Sequence, residues 1–600
     1  MRRAVSTLVV LALAMSAAAP VRAVDPGAPP AATVIEIASG ATGSNPTTPF
    51  AVGSWLFVGA DDGTHGYEPY KIDPATHTAT LIKDIHPSGG SLWSGDPVVI
   101  GSTIYFPAYE PVHGWELWKS DGTEAGTVMV KDISLGADSS GPQNLFAMGS
   151  TLYFSAYDPD HRVELWKSDG TEAGTVLVKD IYPGSEADGS PQGFVNLGGM
   201  LYFSAQDGSH GIELWKSDGT EAGTVMVKDI SVGADSSGPQ FLYAMGSTLY
   251  FAAYDPDHRV ELWKSDGTEA GTVLVKDINP GSEADGAPQG FVNLGGTLYF
   301  SAQDGSHGFE LWKSDGTEAG TVMVKDIEVG AGGGNPTGLT VLGTEILFAA
   351  QDTGHGTELW KSDGTEAGTV LVKDIEASTG SWPSLLKRVG GEVFFQASTS
   401  AEGNELWKSD GTEAGTVLVR NTVPGDGNAY PVVFGQVGGV IVLSSYGPDG
   451  DNELWKSDGT EAGTMLLKDI VEGPGSSYPY AATVHGSTVY FLSYDGSTYQ
   501  LWQSDGTADG THSAATLPGT NAQVGCECNR HVASFSDGIY FPMTSDETGW
   551  EIAFVSAPLP STNRDTSLWS SLSYTLALVA ALSAAASLML LRRELTIRRH

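Results

Sequence analysis

The stretch ELWKSDGTEAGT, residues 116–127, decides the fold because it returns along the chain at a nearly constant interval. Identical copies begin at Glu164, Glu213, Glu261, Glu310, Glu358, Glu405 and Glu453, and the variant QLWQSDGTADGT begins at Gln500. Its tryptophan recurs every 47 to 49 residues, at Trp118, Trp166, Trp215, Trp263, Trp312, Trp360, Trp407, Trp455 and Trp502. A fixed period of this size is typical of a repeat architecture.

The unit around Trp215 contains four short segments with strand character: FVNL, MLYFSAQ, IELWKS and TVMVKDI. They are rich in Val, Leu, Phe, Tyr and Thr, and turn sequences built from Gly, Asp and Ser separate them. No helical period is visible in the unit. Four antiparallel strands in about 48 residues predict one blade of an all-β propeller.

The repeated string resembles the ELWxxDGT repeat family of exported bacterial proteins, and the resemblance covers nearly all of the predicted extracellular part. This family implies a β-propeller and no assigned activity. The turn is also loosely similar to the Asp-box hairpin of sialidase-type propellers. Its spacing departs from that pattern, so sialidase chemistry is not implied.

The residue types of the motif suit a structural role. A tryptophan is large and mostly apolar, so one in each unit can fill the space between neighbouring sheets. The Asp of DGT can accept backbone N–H groups within the turn, and the following Gly supplies a positive φ. We therefore expect the motif to build the blades.

Two degenerate units flank the nine copies, with Tyr70 and Ala553 in the tryptophan position, which predicts about eleven blades. The last unit lacks its fourth strand, and a matching segment, TVIEIASG, begins at Thr33. We expect this N-terminal strand to complete the last blade, because pairing both ends removes open sheet edges. The even spacing favours one large ring, and two rings remain the alternative.

The two ends of the chain predict export and anchoring. Residues 1–23 have the pattern of a signal peptide, and a linker at 24–32 precedes the propeller at 33–557. A linker at 558–566 leads to an uncharged segment, 567–591, which is long enough for a transmembrane helix. The basic tail at 592–600 that follows predicts a cytoplasmic end.

The second linker contains Leu559, Pro560, Thr562 and Asn563 in the string LPSTN. Followed by an apolar span and basic residues, it resembles an LPXTG-type cell-wall sorting signal, with Asn in place of the final Gly. The resemblance implies cleavage after Thr562. A permanent membrane anchor is the alternative, and both place the propeller outside the cell.

The net charge of −41 predicts a soluble surface and excludes nucleic acid as a partner, since phosphate binding requires a basic surface. The two cysteines, Cys526 and Cys528, lie one residue apart in GCECNR. A local disulfide is the simplest interpretation for an exported protein, although a bridge across one residue is strained. An intermolecular link and a metal ligand are the alternatives.

Seven histidines occupy one position, five residues before the tryptophan: His65, His113, His161, His210, His258, His307 and His355. In QDGSHGFE, the residues Asp304, His307 and Glu310 form a weak candidate metal site, because three or four converging ligands are required. Stabilisation of the turn is the favoured interpretation. Acidic loops such as GADSSG and GSEADG leave calcium as a candidate cofactor.

No catalytic or cofactor-binding motif is recognisable in the chain. A surface on which nearly every element is repeated is typical of multivalent recognition. The sequence therefore favours a non-catalytic, surface-displayed propeller for adhesion or for binding an extracellular glycan or protein. An extracellular enzyme acting on polysaccharide and a structural envelope protein are the alternatives.

Overall fold

The computed structural model describes residues 29–39, 42–92, 97–184, 188–281, 285–377, 379–519, 522–524 and 532–557. In these residues every regular element is a β-strand, and the strands form eleven antiparallel sheets. Ten sheets have four strands that follow one another in the sequence. The prediction of an all-β propeller with eleven four-stranded blades is confirmed.

Strand β1 spans Thr33–Ile35, and the remaining strands are numbered in chain order, blade by blade. Blades 1 to 4 contain β2–β5 (Phe50–Val52, Trp55–Asp61, Tyr67–Asp73, Thr78–Leu81), β6–β9 (Val98–Ile100, Thr103–Glu110, Gly114–Ser120, Val128–Lys131), β10–β13 (Gln143–Met148, Thr151–Asp158, Arg162–Ser168, Val176–Lys179) and β14–β17 (Gln192–Leu197, Met200–Gln206, Ile212–Ser217, Val225–Lys228).

Blades 5 to 8 contain β18–β21 (Gln240–Met245, Thr248–Asp255, Arg259–Ser265, Val273–Lys276), β22–β25 (Gln289–Leu294, Thr297–Gln303, Phe309–Ser314, Val322–Lys325), β26–β29 (Thr337–Leu342, Glu345–Asp352, Gly356–Ser362, Val370–Lys373) and β30–β33 (Ser384–Val389, Glu392–Thr399, Gly403–Ser409, Val417–Arg420).

Blades 9 to 11 contain β34–β37 (Val432–Val437, Val440–Tyr446, Asn452–Ser457, Met465–Lys468), β38–β41 (Tyr480–His485, Thr488–Tyr494, Tyr499–Ser504, His512–Ser513) and β42–β45 (Gln523–Val524, Ala533–Phe535, Gly538–Ser545, Gly549–Ser556). In blade 11 both β42 and β43 pair with β44, so they share the position of a first strand.

The core consists of apolar clusters between successive blades. A typical cluster joins Tyr153, Leu165 and Ile181 of blade 3 to Phe203 and Trp215 of blade 4. Equivalent clusters follow around the molecule, and one of them joins blade 11 to blade 1. The first strands of successive blades contact each other from blade 2 to blade 11 and are partly exposed, so they surround a central channel.

Strand β1 closes the ring. It pairs antiparallel with β45, with Ile35 opposite Ile552, and supplies the outer strand that blade 11 lacks. The chain after β1 is held as well, because the amides of Ile37 and Ala38 each donate a 2.9 Å hydrogen bond to the Glu551 carboxylate. The predicted closure by the N-terminal strand is confirmed.

The segment before β1 contributes a further contact that the assignment of 24–32 as a linker did not anticipate. The amide of Ala32 donates to the carbonyl of Thr516 in blade 10, and the amide of Thr516 donates to the carbonyl of Pro30, both at 2.9 Å. The N-terminal chain therefore contacts blade 10 before it pairs with blade 11.

We expect Ile35→Asp to open the ring at this seam. Ile35 is buried against Leu56 and Tyr70 of blade 1, and an unpaired buried carboxylate is strongly destabilising. Hydrogen exchange should become faster in β45 and in β3 and β4. Thr33→Asp is the matched control in the same strand, since Thr33 is exposed. Equal protection in both variants would show that the seam does not hold the ring closed.

Candidate functional site

The two faces of the ring carry different connections. The turns between first and second strands and the hairpins between third and fourth strands lie on one face, called the hairpin face. The loops between second and third strands, and those that lead to the next blade, lie on the other, called the loop face. This follows from the alternating direction of the strands in each sheet.

On the hairpin face, the repeated SDGTEAGT forms a turn stabilised by its own side chains. Asp121 Oδ1 accepts hydrogen bonds from the Thr123 amide at 2.9 Å and from Thr123 Oγ1 at 2.7 Å. The Thr123 hydroxyl, followed by the Thr123 amide, holds the pKa of the Asp121 carboxyl below its usual value. Gly122 has a φ of 84°, in the region that favours glycine.

The nine tryptophans of the motif lie between blades, and each is 9% exposed or less. Their indole Nε1 atoms are buried without a hydrogen-bond partner among the described residues. Beside them, Lys119 Nζ donates a 2.5 Å hydrogen bond to the carbonyl of Gly170 in the next blade, and Lys167 makes the same contact with Gly219. Apolar packing and these lysine contacts together join neighbouring blades.

On the loop face, each of the seven histidines contacts an acidic residue three positions earlier in its own loop. His307 Nδ1 lies 2.5 Å from Asp304 Oδ2, and His65, His161, His210, His258 and His355 make the same type of contact with aspartate. In blade 2 the partner of His113 is Glu110. The hydrogen bond to Asp304 raises the pKa of His307.

The candidate metal ligands Asp304, His307 and Glu310 are brought together only in part. Asp304 and His307 form the pair just described, whereas the Glu310 carboxylate accepts the amides of Glu328 at 3.0 Å and Gly334 at 2.6 Å. Glu310, in β24, therefore holds the loop that leads to the next blade. His307 Nε2 lies instead 3.8 Å from Asp326 Oδ2.

This role of the motif glutamate escaped sequence reasoning. Ten glutamates at the same position are buried: Glu68, Glu116, Glu164, Glu213, Glu261, Glu310, Glu358, Glu405, Glu453 and Glu551. Glu116 accepts the amides of Ile133 at 3.1 Å and Ser134 at 3.2 Å, and the Ser140 hydroxyl at 2.6 Å. Burial raises the pKa of Glu116 to about 7, although these hydrogen bonds act to lower it. The available signal was a Glu that recurs in the third strand of ten of the eleven units, with Gln500 in the remaining one.

A second feature that sequence reasoning missed lies where these loops enter the first strands. In eight successive loops a proline precedes the first strand, and the residue before this proline has a φ between 44° and 54°. These residues are Gly141, Ser190, Gly238, Ala287, Asn335, Trp382, Tyr430 and Tyr478. Its amide donates to the third strand of the preceding blade, for example from Asn335 to Phe309 and from Trp382 to Thr357. The backbone position is thus repeated, and the side chain changes.

Three successive loops, those leading into blades 8, 9 and 10, carry aromatic residues at this position. Trp382 is 60% exposed, Tyr430 52% and Tyr478 49%, and we call these three residues the aromatic arc. A positive φ is unusual for bulky residues, and strained positions of this kind cluster at active and binding sites. Tyr446 links two of them. The ring of Tyr446 lies 6.4 Å from that of Tyr430. Burial, followed by the nearby Tyr478, raises the pKa of the Tyr446 hydroxyl.

The arc borders a pocket of about 580 Å³ on the side of blade 7. Trp382 and Pro383 line it together with the polar side chains of Asn335, Gln351, Ser384, Ser398 and Asn404. An aromatic surface beside a few amide and hydroxyl groups is typical of ligand-binding pockets. The signal in the sequence was the aromatic residue at this position in three repeats, where the other five loops have Gly, Ser, Ala or Asn.

Several predicted features lie outside the described residues. They are the signal peptide, Cys526 and Cys528, the string containing Leu559, Pro560, Thr562 and Asn563, the segment 567–591 and the basic tail. Within the part of the chain that the structure describes, no helix has the length and apolar character needed to cross a membrane.

Comparison with known proteins yields no family. No protein-family profile and no curated protein matches this sequence. Among solved structures, the computationally designed Ika8 protein is similar with 13% identity and a TM-score of 0.28, over 70% of this chain and 99% of that chain.

Two further similarities are to enzymes. A puromycin hydrolase is similar with 15% identity and a TM-score of 0.25, over 62% of this chain and 61% of that one. A prolyl endopeptidase matches with 10% identity and a TM-score of 0.26, over 76% of this chain and 55% of that one. Values this low assign neither a family nor an activity to this chain.

Proposed function

We propose that this protein is a non-catalytic, surface-displayed propeller that binds an extracellular glycan. The propeller architecture supports a ligand-binding or scaffold role, and the aromatic arc is the observation that carries the choice of ligand. Signal-like residues 1–23 and the apolar segment 567–591 support export and display at the cell surface. The resemblance to the exported ELWxxDGT repeat proteins supports the same location.

The chemistry of the arc suits sugar rings. The face of an aromatic ring is electron-rich and packs against weakly positive C–H groups, which one face of a pyranose presents. The hydroxyl groups at the sugar edge need hydrogen-bond partners, and the amides of Asn335, Gln351 and Asn404 line the adjacent pocket. Exposed aromatic rings beside amide groups therefore fit a saccharide better than a purely apolar ligand.

The repetition of the arc adds avidity. Trp382, Tyr430 and Tyr478 occupy the same backbone position in three successive repeats, so a chain-like ligand can contact all three. Several weak contacts on one ligand act together because each raises the effective concentration for the next. The net charge of −41 disfavours a strongly anionic chain, so we expect a neutral polysaccharide.

A glycan array with the purified full chain tests this function. We expect binding to neutral oligosaccharides to weaken by roughly tenfold or more in the triple variant Trp382→Ala, Tyr430→Ala and Tyr478→Ala, since a good aromatic contact contributes about 0.5–1.5 kcal/mol and 1.4 kcal/mol corresponds to tenfold. Melting temperature should stay unchanged, because the three side chains are exposed.

The matched control removes three exposed apolar side chains from other loops of the same face. Leu135, Val232 and Val329 are each at least 79% exposed, and their triple alanine variant should bind like the unaltered protein. Equal loss in both variants would indicate non-specific hydrophobic binding. Shortened oligosaccharide products after incubation would favour the polysaccharide-acting enzyme instead.

A further inference from the structure

The wall of the central channel carries two further pockets, at matching places two blades apart. The first, of about 560 Å³, lies between blades 4 and 5 and is lined in part by Gly193, Ser204 and Pro239. The second, of about 410 Å³, lies between blades 6 and 7. Its matching residues are Gly290, Ser301 and Pro336. We call these two the channel pockets, and volumes of this order are typical of sites for small organic groups.

Each channel pocket lies beside a bulge of the first strand that is occupied by glycine. The pairing of β14 with β15 shifts register after Gln192, and that of β22 with β23 shifts after Gln289. The residues that follow, Gly193 and Gly290, are exposed and have φ values of 69° and 70°. A Cβ atom added at either glycine would meet no heavy atom within 4 Å. The bulge therefore leaves room for a side chain or for a ligand.

Blade 3 shows which chemical group fits at this place. Its bulge residue is Asn144, with a φ of 55°. The side-chain amide of Asn144 donates to Ser155 Oγ at 3.2 Å and to the carbonyl of Pro191, at the entrance to blade 4, at 3.4 Å. Ser155 and Pro191 correspond to Ser204 and Pro239 of the first channel pocket. The repeat thus accepts an amide N–H donor between a serine hydroxyl and a prolyl carbonyl.

Blade 8 meets the same carbonyl with an amide from a different position. Gln396 pairs with Ser384 as Ser155 pairs with Gln143, so it stands at the serine position. Its side-chain amide donates a 2.8 Å hydrogen bond to the carbonyl of Pro431, at the entrance to blade 9. In blades 4 and 6 the two positions hold glycine and serine, so neither position supplies an amide to the prolyl carbonyl.

The surroundings of the channel pockets are uncharged and partly apolar. No described first strand contains an aspartate or a glutamate, although the chain has 72 of them, and lysine and arginine occur there only in blade 8. Phe194, Phe241 and Leu242 line the first channel pocket, and Phe241 is 57% exposed at a φ of 54°. Apolar surface beside a hydroxyl and a carbonyl acceptor fits a neutral group with an N–H donor and a small apolar end.

We propose that the channel pockets bind the acetamido groups of an N-acetylated polysaccharide. An acetamido group has an N–H that donates to the prolyl carbonyl or the serine hydroxyl, and a methyl group that packs against the apolar side chains. It supplies from a ligand the same amide contact that Asn144 and Gln396 supply from the chain. This inference specifies the class of glycan and therefore rests on the proposed function.

The channel pockets are continuous with the pocket beside the aromatic arc. Thr337 lines both the second channel pocket and the pocket that Trp382 borders. A glycan that stacks on the arc can therefore continue along the channel wall. Acetamido groups repeated along one chain then occupy successive pockets, and each contact raises the effective concentration for the next.

Calorimetric titration of the purified full chain with N-acetylated chitotetraose and with cellotetraose tests the proposal. These linear chains have the same linkage and differ in whether each sugar carries an acetamido or a hydroxyl group. We expect the N-acetylated chain to bind at least about tenfold more tightly, because one neutral hydrogen bond and one buried methyl group together correspond to that ratio.

The double variant Gly193→Asn with Gly290→Asn gives both bulges the residue that blade 3 already has. It should lose the preference for the N-acetylated chain and bind cellotetraose like the unaltered protein. Its melting temperature should not fall, because asparagine tolerates a positive φ and the added Cβ meets no neighbour. Gly198→Asn with Gly295→Asn is the matched control, in turns of the same two blades at a φ of 62° with no heavy atom within 4 Å. This control should keep the preference.

Three outcomes would overturn the proposal. The first is that the N-acetylated chain does not bind or binds no more tightly than cellotetraose. The second is a preference that survives in Gly193→Asn with Gly290→Asn. The third is binding of an uncharged, asparagine-rich peptide with neither sugar chain bound, which would assign the channel pockets to a protein partner.

The triple alanine variant of the aromatic arc keeps this inference distinguishable from the proposed function. Cellotetraose binding that is lost in the arc variant, without any preference for acetamido groups, would refute the inference and leave the proposed function standing. A preference for acetamido groups that persists at full strength in the arc variant would support the channel pockets and refute the arc as the glycan site.

Discussion

Replacing Trp263 by Ala should destabilise the contact between blades 4 and 5 by about 3–5 kcal/mol. Trp263 is 5% exposed and packs against Leu197, Leu214 and Ile230 of blade 4. The substitution leaves a cavity that two rigid sheets cannot close, so both the apolar burial and the packing are lost. Hydrogen exchange in the two blades and the melting temperature of the protein are the measurements.

Two further variants separate packing from other effects. Trp263→Phe should cost much less, because it keeps an aromatic ring in the cluster and removes an indole N–H that is buried without an acceptor. Trp382→Ala removes an exposed tryptophan and should leave the melting temperature unchanged. If Trp263→Ala melted like the unaltered protein, inter-blade packing of the motif tryptophan would be refuted.

The stability of the ring should fall as the pH rises from about 4.5 to 8. Burial raises the pKa of Glu68, Glu116, Glu213, Glu405 and Glu453 to about 7. It raises the pKa of Glu164 and Glu261 to about 8. In the unfolded chain these carboxyl groups titrate near their ordinary pKa of 4.5. The folded state therefore holds more protons between these limits, and stability declines as they are released.

The pH window separates the glutamates from the histidines. Hydrogen bonds to aspartate raise the pKa values of His65, His210, His307 and His355. Their contribution to stability is therefore complete below the ordinary pKa of 6.5 and is lost as the pH rises above it. A decline of melting temperature between pH 4.5 and 6.5 is thus due to the glutamates. A melting temperature that rises steadily across this range would contradict the prediction.

Much of the fold could be predicted because its determinants are local and repeated. The four strands around Trp215 were predicted from alternation and turn residues, and the structure places them at Gln192–Leu197, Met200–Gln206, Ile212–Ser217 and Val225–Lys228. The count of about eleven blades and the pairing of the N-terminal strand followed from matching one end of the chain against the other.

The candidate sites were harder to predict because repetition draws attention to what is shared. The histidines were noticed because seven repeats have them, and the structure shows them paired with an acidic residue in their own loop. Trp382, Tyr430 and Tyr478 depart from the repeat, and their significance depends on exposure and on neighbours. Sequence spacing alone does not show which departures lie together on one face.

The sequence by itself determined the strand pattern, the turns and the period, because hydrophobic alternation and glycine or aspartate turns act over a few residues. Only the tertiary structure decided which groups meet across loops and blades. It buried nine glutamates beneath loops that begin 17 residues later, and it buried Glu551 beneath the segment that follows β1. The physical reason is that burial, packing and charge depend on neighbours supplied by distant parts of the chain, and these neighbours exist only once the ring has formed.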